Sequence, residues 1–182
     1  MSTHALPARI GAVVRWPFAS PLAAPLWLAL RVYLGSVWLQ FGLTKVRIGW
    51  LTTNPMEEVL SLIARGLTPT PLPVYRRVAE LLLALEVDRV LSVAIPLLEI
   101  TFAAAFFAGV LLVPAALGAC LLNLNLVLSG IASWHFDGRV IALQLLLLLA
   151  WRVAGFLGIG ESLAKLLRSY RALLIRRERQ PA

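Results

Sequence analysis

Four long apolar runs alternate with shorter polar segments along the chain. They cover roughly Pro21–Thr44, Arg89–Val113, Pro114–Trp134 and Val140–Gly160. Each run has about the 20 residues that a helix needs to cross a hydrocarbon core roughly 30 Å thick. None shows the strict apolar–polar alternation over ten-residue segments that is typical of a membrane β-barrel. The pattern predicts an all-α protein, an integral membrane bundle of four transmembrane helices that forms one domain over residues 1–182.

The connection between the first two runs, residues 46–88, is too long for a simple loop. Asn54 can cap a short helix here, Pro55 can take its first position and Gly66 can end it. A second helix is predicted from about Val74. We expect both to be short extracytoplasmic cap helices, which either roof a pocket between the spans or form an interfacial hairpin.

The C-terminal segment, residues 161–179, predicts a basic amphipathic helix that lies in the membrane surface. Its leucines fall on one helical face, and lysine and arginine side chains cover the rest. Four spans place both termini on the same side of the bilayer. The positive-inside rule then assigns the N- and C-termini to the cytoplasm.

The composition supports a membrane protein and narrows its chemistry. The chain has 182 residues, 60% of them hydrophobic, and carries a net charge of +8. Cys120 is the only cysteine, and the histidines are His4 and His135. An internal disulfide, a CxxCH haem attachment and a cysteine-held iron–sulfur cluster are therefore excluded, and we expect no haem or metal held by this chain alone.

One stripe of the first run combines charged, aromatic and small residues. Steps of four, three, four and three residues put them on one helical face: Arg31, Gly35, Trp38, Gly42 and Lys45. Glu99 lies about ten residues into the second run, and Arg31 about ten residues into the first, which runs the opposite way. Because a lone charge is costly in a bilayer, we predict that Arg31 and Glu99 pair near its middle.

The predicted Arg31–Glu99 pair is either a structural ion pair or a polar site for a ligand head group. Asn123 and Asn125 lie about 200° apart around a helix, so only one can join that pair. The other should bond a different helix or a partner subunit. Arg152 can extend to the inner surface or pair with Glu99.

A further connection, the sequence SWHFDGR after the third run, contains His135 and Asp137. We expect it to be a solvated connection.

Four short motifs give the chain a resemblance to a known family. They are R-x3-G-x6-G-x2-K, PLLE, NLNxxxSG and AWRxAGxxGI, one in each run. They resemble the DoxX/DoxD family of four-helix membrane proteins, which includes the membrane subunit of thiosulfate:quinone oxidoreductase. The resemblance covers about Trp27 to Glu161. It implies a bacterial or archaeal inner-membrane protein with these family-like positions: Arg31, Lys45, Glu99, Asn123 and Arg152.

The resemblance and the predicted pair together suggest a membrane subunit of a quinone-linked oxidoreductase. Glu99 would accept protons, and Arg31 would keep it ionised or hydrogen-bond a quinone oxygen. Lys45 would attract anions at the outer mouth. The expected head-group site comprises Arg31, Trp38, Lys45, Glu99, Asn123 and Arg152.

Two other functions remain open. The first is a non-catalytic accessory subunit of a larger respiratory or photosynthetic complex, and the second is a transporter. Expected partners are the lipid bilayer and either other protein subunits or further copies of the chain, with no nucleic acid.

Overall fold

The structure, a computed structural model, describes residues 16–69, 72–155 and 157–159. All regular elements within these ranges are helical. The 3-10 turn Pro21–Ala23 leads into helix α1. The helices are α1 (Ala24–Arg47), α2 (Pro55–Ala64), α3 (Val74–Ala84), α4 (Asp88–Ala108), α5 (Leu112–Leu128), α6 (Trp134–Leu149) and α7 (Trp151–Ala154). The predicted all-α class is confirmed. The predicted tail helix, residues 161–179, lies outside the described residues.

Two helical segments are long and apolar enough to cross a membrane. They are Pro21–Arg47, with 27 residues, and Asp88–Ala108, with 21 residues. Helix α5 is also apolar, but its 17 residues extend only about 25 Å, less than a hydrocarbon core of roughly 30 Å. Length and composition therefore identify two candidate spans in the described residues, where the sequence predicted four.

The turn between α4 and α5 lies inside what reads as continuous apolar sequence. Gly109 adopts a left-handed conformation, with φ of +68°, and caps the C-terminus of α4. Leu111 also has a positive φ, and α5 begins at Leu112. The predicted run Arg89–Val113 is therefore about five residues too long, because the chain turns here without any polar residue to mark the turn.

Helix α6 begins earlier than predicted because Ser133 caps it. The Ser133 hydroxyl accepts the His135 N–H, and the Asp137 carboxylate accepts the Ser133 N–H at 3.0 Å. Asp137 is buried while His135 is exposed. The prediction that this segment is a solvated connection is therefore wrong for Asp137. The predicted run Val140–Gly160 is not one helix, since Ala150 separates α6 from α7.

Helices α1 and α4 pack closely along their lengths, and small residues permit the approach. A Cβ atom on Gly42 would lie 2.7 Å from the Ile100 side chain and 3.0 Å from the Pro96 carbonyl oxygen. Helix α5 packs on α6. The main core lies between these helices and includes Leu34, Trp38, Ala103, Phe106, Ala119, Val140 and Leu147.

The cap helices α2 and α3 pack on each other, and α2 also packs on α4. Their apolar faces form a second cluster that contains Met56, Leu60, Ile63, Ala79 and Ile95. Helix α2 begins at Pro55, and Gly66, with φ of +70°, follows its end as predicted. Asn54 makes no capping hydrogen bond, contrary to prediction.

The N-terminus of α2 is capped instead from a neighbouring helix. The Met56 N–H donates to the hydroxyl of Ser92 in α4 at 3.1 Å. A backbone donor at a helix start needs a partner, and here a side chain from another helix supplies it. The start of α2 is thus attached directly to α4.

Candidate functional site

Glu99 and Lys45 form a salt bridge between α4 and α1. The Lys45 Nζ atom lies 2.6 Å from Glu99 Oε1 and 2.9 Å from Oε2. The Glu99 side chain is 0% exposed and that of Lys45 is 20% exposed. The ion pair therefore joins a fully buried glutamate side chain to a lysine side chain that is partly exposed.

The predicted pairing of Arg31 with Glu99 is wrong. Arg31 is also buried, but its guanidinium group donates to the backbone carbonyls of Phe106, Phe107 and Ala154 at 3.0, 3.3 and 2.7 Å. Arg31 and Lys45 are 14 residues apart in one helix, which corresponds to about 21 Å. Lys45, rather than Arg31, therefore lies within reach of Glu99.

Arg31 caps the C-terminal ends of two helices. Its three carbonyl partners lie in the last turns of α4 and α7, where backbone acceptors lack intrahelical donors and carry a partial negative charge. The site is tight, because a Cβ atom on Gly109 would lie 2.5 Å from Arg31 Nη1. This arrangement satisfies a buried cation without a carboxylate.

Aromatic rings flank the ammonium group of Lys45. Its Nζ atom lies 5.6 Å from the ring centroid of Phe41 and 5.5 Å from that of Trp50, within the range of cation–π attraction. We call Lys45, Glu99, Phe41 and Trp50 the Lys45–Glu99 site. The two rings were not predicted as part of the site, although Phe41 precedes Lys45 by one helical turn and so lies on the same face of α1.

Trp38 lies on the buried face of α1, as the stripe predicted. It is 0% exposed, and its ring meets Phe41 and Phe102 edge-on at centroid distances of 6.0 and 5.5 Å. Its indole N–H has no hydrogen-bond partner among the described residues. Trp38 therefore connects the Lys45–Glu99 site to the core of the bundle.

The two asparagines of α5 have separate partners, and neither joins Glu99. Buried Asn123 donates to the Asp137 carbonyl at 3.4 Å. Asn125 accepts a hydrogen bond from the Tyr75 hydroxyl at 2.9 Å, so it bonds a different helix, which was one of its two predicted roles.

Arg152 is exposed, and its guanidinium carbon lies 5.3 Å from the Trp151 ring. It makes no contact with Glu99, so the alternative in which they pair is wrong.

A third polar cluster lies where the cap helices meet α4. The Asn54 amide nitrogen donates a hydrogen bond to the Asp88 carboxylate. Its amide oxygen accepts a hydrogen bond from the Ser92 hydroxyl at 2.9 Å. An open cleft of about 530 Å³ adjoins this cluster, lined by Asn54, Glu57, Leu83, Glu86, Asp88 and Arg89. Within the described ranges, the histidine, cysteine and acidic side chains form no group of three that could hold a metal ion.

Comparison of the chain with protein-family models, with curated proteins and with solved structures returned no match. The functional assignment therefore depends on the geometry of these polar clusters.

Proposed function

We propose that the chain is a four-span, multi-pass subunit of a quinone-linked oxidoreductase in a bacterial or archaeal inner membrane, with both termini in the cytoplasm. The observation that carries the proposal is the buried Glu99 carboxylate, held by a partly exposed Lys45 between two aromatic rings. Ionisable side chains within apolar helices mark ligand or proton sites more often than not. The proposed head-group site is the Lys45–Glu99 site, in place of the Arg31-centred site that the sequence suggested.

The residues of this site fit a quinone head group. A quinone takes up two electrons and two protons and becomes a quinol. The rings of Phe41 and Trp50 offer apolar faces to a flat ring, and the Lys45 ammonium group can donate a hydrogen bond to a ring oxygen. Glu99 can hold a proton at either carboxyl oxygen.

Lys45 and Glu99 would work together during binding. When the Lys45 ammonium group turns towards a ligand oxygen, Glu99 loses its counter-charge in a buried position. A buried carboxylate without a counter-charge favours its protonated form, so ligand binding and proton uptake by Glu99 are coupled. Electrons would come from a substrate or from a partner chain.

The other predicted site residues receive different roles. Arg31 is assigned to the structure, since its donors are engaged with three carbonyls. Trp38 forms the inner boundary of the head-group site. Asn123 and Arg152 are not part of it, because their observed contacts are with Asp137 and Trp151.

A non-catalytic accessory subunit, attached to other protein subunits or to further copies of the chain, is the second candidate. One observation favours it: the Lys45 ammonium group reaches both oxygens of Glu99, so the pair is closed on itself. A closed ion pair can fix the register of α1 against α4 without any ligand.

Equilibrium binding of a short-chain quinone to the chain in lipid nanodiscs distinguishes the two candidates. We expect the wild type to bind with uptake of a proton, and Glu99→Gln to bind without that uptake, because a glutamine side chain cannot accept a proton. Glu80→Gln, on the exposed surface of α3, is the matched control and should bind as the wild type does. A wild type that does not bind, or a Glu99→Gln variant that binds with the same proton uptake, would contradict the quinone site and favour the accessory role.

A further inference from the structure

Three side chains in the core carry polar atoms without a protein partner. Trp38, Asn123 and Gln144 are 0%, 1% and 0% exposed. Within the described part of the chain, Trp38 Nε1, Asn123 Oδ1 and both amide atoms of Gln144 have no hydrogen-bond partner. The three residues belong to three different helices, α1, α5 and α6.

The contacts between helices place these side chains within a few helical turns of one another in depth. The rings of Phe41 and Phe136 are 6.1 Å apart, and Trp38 precedes Phe41 by three residues, or about 4.5 Å along α1. Asn123 bonds the carbonyl of Asp137, the neighbour of Phe136. Gln144 follows Phe136 by eight residues, or about 12 Å along α6. The unpartnered atoms therefore lie in a band about two to three helical turns deep.

All three side chains belong to buried helical faces. Ala119 and Val127 lie one turn to either side of Asn123, while Val140 and Leu147 lie one turn to either side of Gln144, and all four are buried. Trp38, Ala119, Val140 and Leu147 belong to one core cluster. Trp38, Asn123 and Gln144 thus face the interior of the bundle rather than its surface.

The polar atoms determine which ligand they can bind. Trp38 offers a donor, Asn123 an acceptor, and Gln144 one group of each kind. The hydroxyl group of a ligand can both donate and accept hydrogen bonds, so it could satisfy all of these atoms. None of the three side chains carries a charge that would favour the binding of an ion. Buried polar groups of this kind are commonly bridged by water, which makes about three hydrogen bonds in such sites.

We propose that Trp38, Asn123 and Gln144 bind water molecules in the core of the bundle, as a second polar site. Within this site, Trp38 lies about one helical turn from the level of Glu99, since its ring contacts Phe102, three residues after Glu99 in α4. Bound water would give the buried Glu99 carboxyl group a route for proton exchange. That last role rests on the proposed function, whereas the binding of water does not.

Nuclear magnetic resonance of the full chain in nanodiscs, with ¹⁵N-labelled tryptophan, tests the proposal directly. The chain has six tryptophans, and Trp38→Phe identifies the Trp38 indole signal by its loss. We expect cross-relaxation between the Trp38 indole proton and long-lived bound water. Gln144→Leu should reduce it by at least about twofold, because it removes shared water ligands. Gln40→Leu, at an exposed position of α1, is the matched control and should leave it unchanged.

Two results would overturn the proposal. The first is a Trp38 indole proton without cross-relaxation to water, which means a dry core. The second is cross-relaxation to the protons of an organic molecule that copurifies with the chain in place of water. The measurement needs no quinone, so failure of quinone binding with a persistent water signal contradicts the proposed function alone.

Discussion

Lys45 and Glu99 join the C-terminal end of α1 to the middle of α4, with the Lys45 Nζ atom 2.6 and 2.9 Å from the two carboxylate oxygens of Glu99. Lys45 occupies the last turn of its helix, and Glu99 lies eleven residues after the first residue of α4. The pair thereby fixes the register of the two candidate spans. Any ligand that takes the ammonium group must also compensate the carboxylate.

Removing one member of this pair should destabilise the protein more than removing both. Lys45→Met leaves the buried Glu99 without its counter-charge, and we expect a loss of about 3 kcal/mol in the free energy of unfolding. The double variant Lys45→Met, Glu99→Gln should recover most of that loss. Denaturation of the single and double variants in the same detergent measures the coupling, and simple additivity of their effects would contradict a direct pair.

Arg31 should matter for stability and not for head-group binding. Lys cannot reproduce the planar fork of donors that reaches three carbonyls, so we expect Arg31→Lys to cost about 1–3 kcal/mol of unfolding free energy. Arg47→Lys, at an exposed position in the last turn of α1, is the control. Folded Arg31→Lys protein should bind quinone as the wild type does, and a selective loss of binding would return Arg31 to the site.

Gly109 should tolerate no side chain. Its φ of +68° disfavours any residue with a Cβ atom, and that atom would meet the Arg31 guanidinium group. We expect Gly109→Ala to lower the unfolding free energy by at least about 1 kcal/mol. Gly155→Ala is the matched control, because its Cβ atom would meet its nearest neighbour at an ordinary 3.6 Å. Equal thermal unfolding midpoints for the two variants would argue against a tight turn around Arg31.

Asp137, just before the apolar run that begins at Val140, should contribute a pH dependence of stability. Burial raises the pKa of its carboxyl group above the ordinary 3.8, and the hydrogen bond from the Ser133 N–H opposes part of that rise. Because the folded state holds this proton more tightly than the unfolded chain, the stabilisation is complete below pH 3.8 and is lost as the pH rises through the higher folded value.

The variant Asp137→Asn isolates this effect, since its amide oxygen can still accept the Ser133 N–H. Thermal unfolding midpoints of the wild type should fall relative to those of Asp137→Asn as the pH rises from about 3 to about 7. Gln40→Leu, at an exposed position of α1, changes no titratable group and should shift the midpoint equally at every pH. Parallel curves for the wild type and Asp137→Asn would contradict a raised pKa.

The sequence predicted the helical class and the starts of α2 and α3, because hydrophobic periodicity and proline positions carry that information locally. The turn at Gly109 was predicted about five residues too late, since its cause is backbone conformation within uninterrupted apolar sequence. The sequence also could not predict that Glu99 pairs with Lys45 rather than with Arg31. Both residues lie on one stripe, and only the register of α1 against α4 decides which of them reaches Glu99.

Asn54, at the start of α2, shows a similar limit of prediction from sequence. The local sequence favours a helix cap, yet the side chain bonds Asp88 and Ser92, residues that lie more than thirty positions later. A pattern read along one segment cannot anticipate a partner from a distant helix that offers both a donor and an acceptor.

Photoaffinity labelling with an azido-quinone in nanodiscs tests the proposed head-group site most directly. Mass spectrometry should find the label between Phe41 and Trp50 or near Glu99, and an excess of unmodified quinone should prevent labelling. Folded Lys45→Met protein, which lacks the donor to the ring oxygen, should lose most of the label, while Arg77→Met, at an exposed position of α3, keeps it. Label confined to the exposed apolar surface, or equal label in the wild type and Lys45→Met, would contradict a quinone site at Lys45 and Glu99.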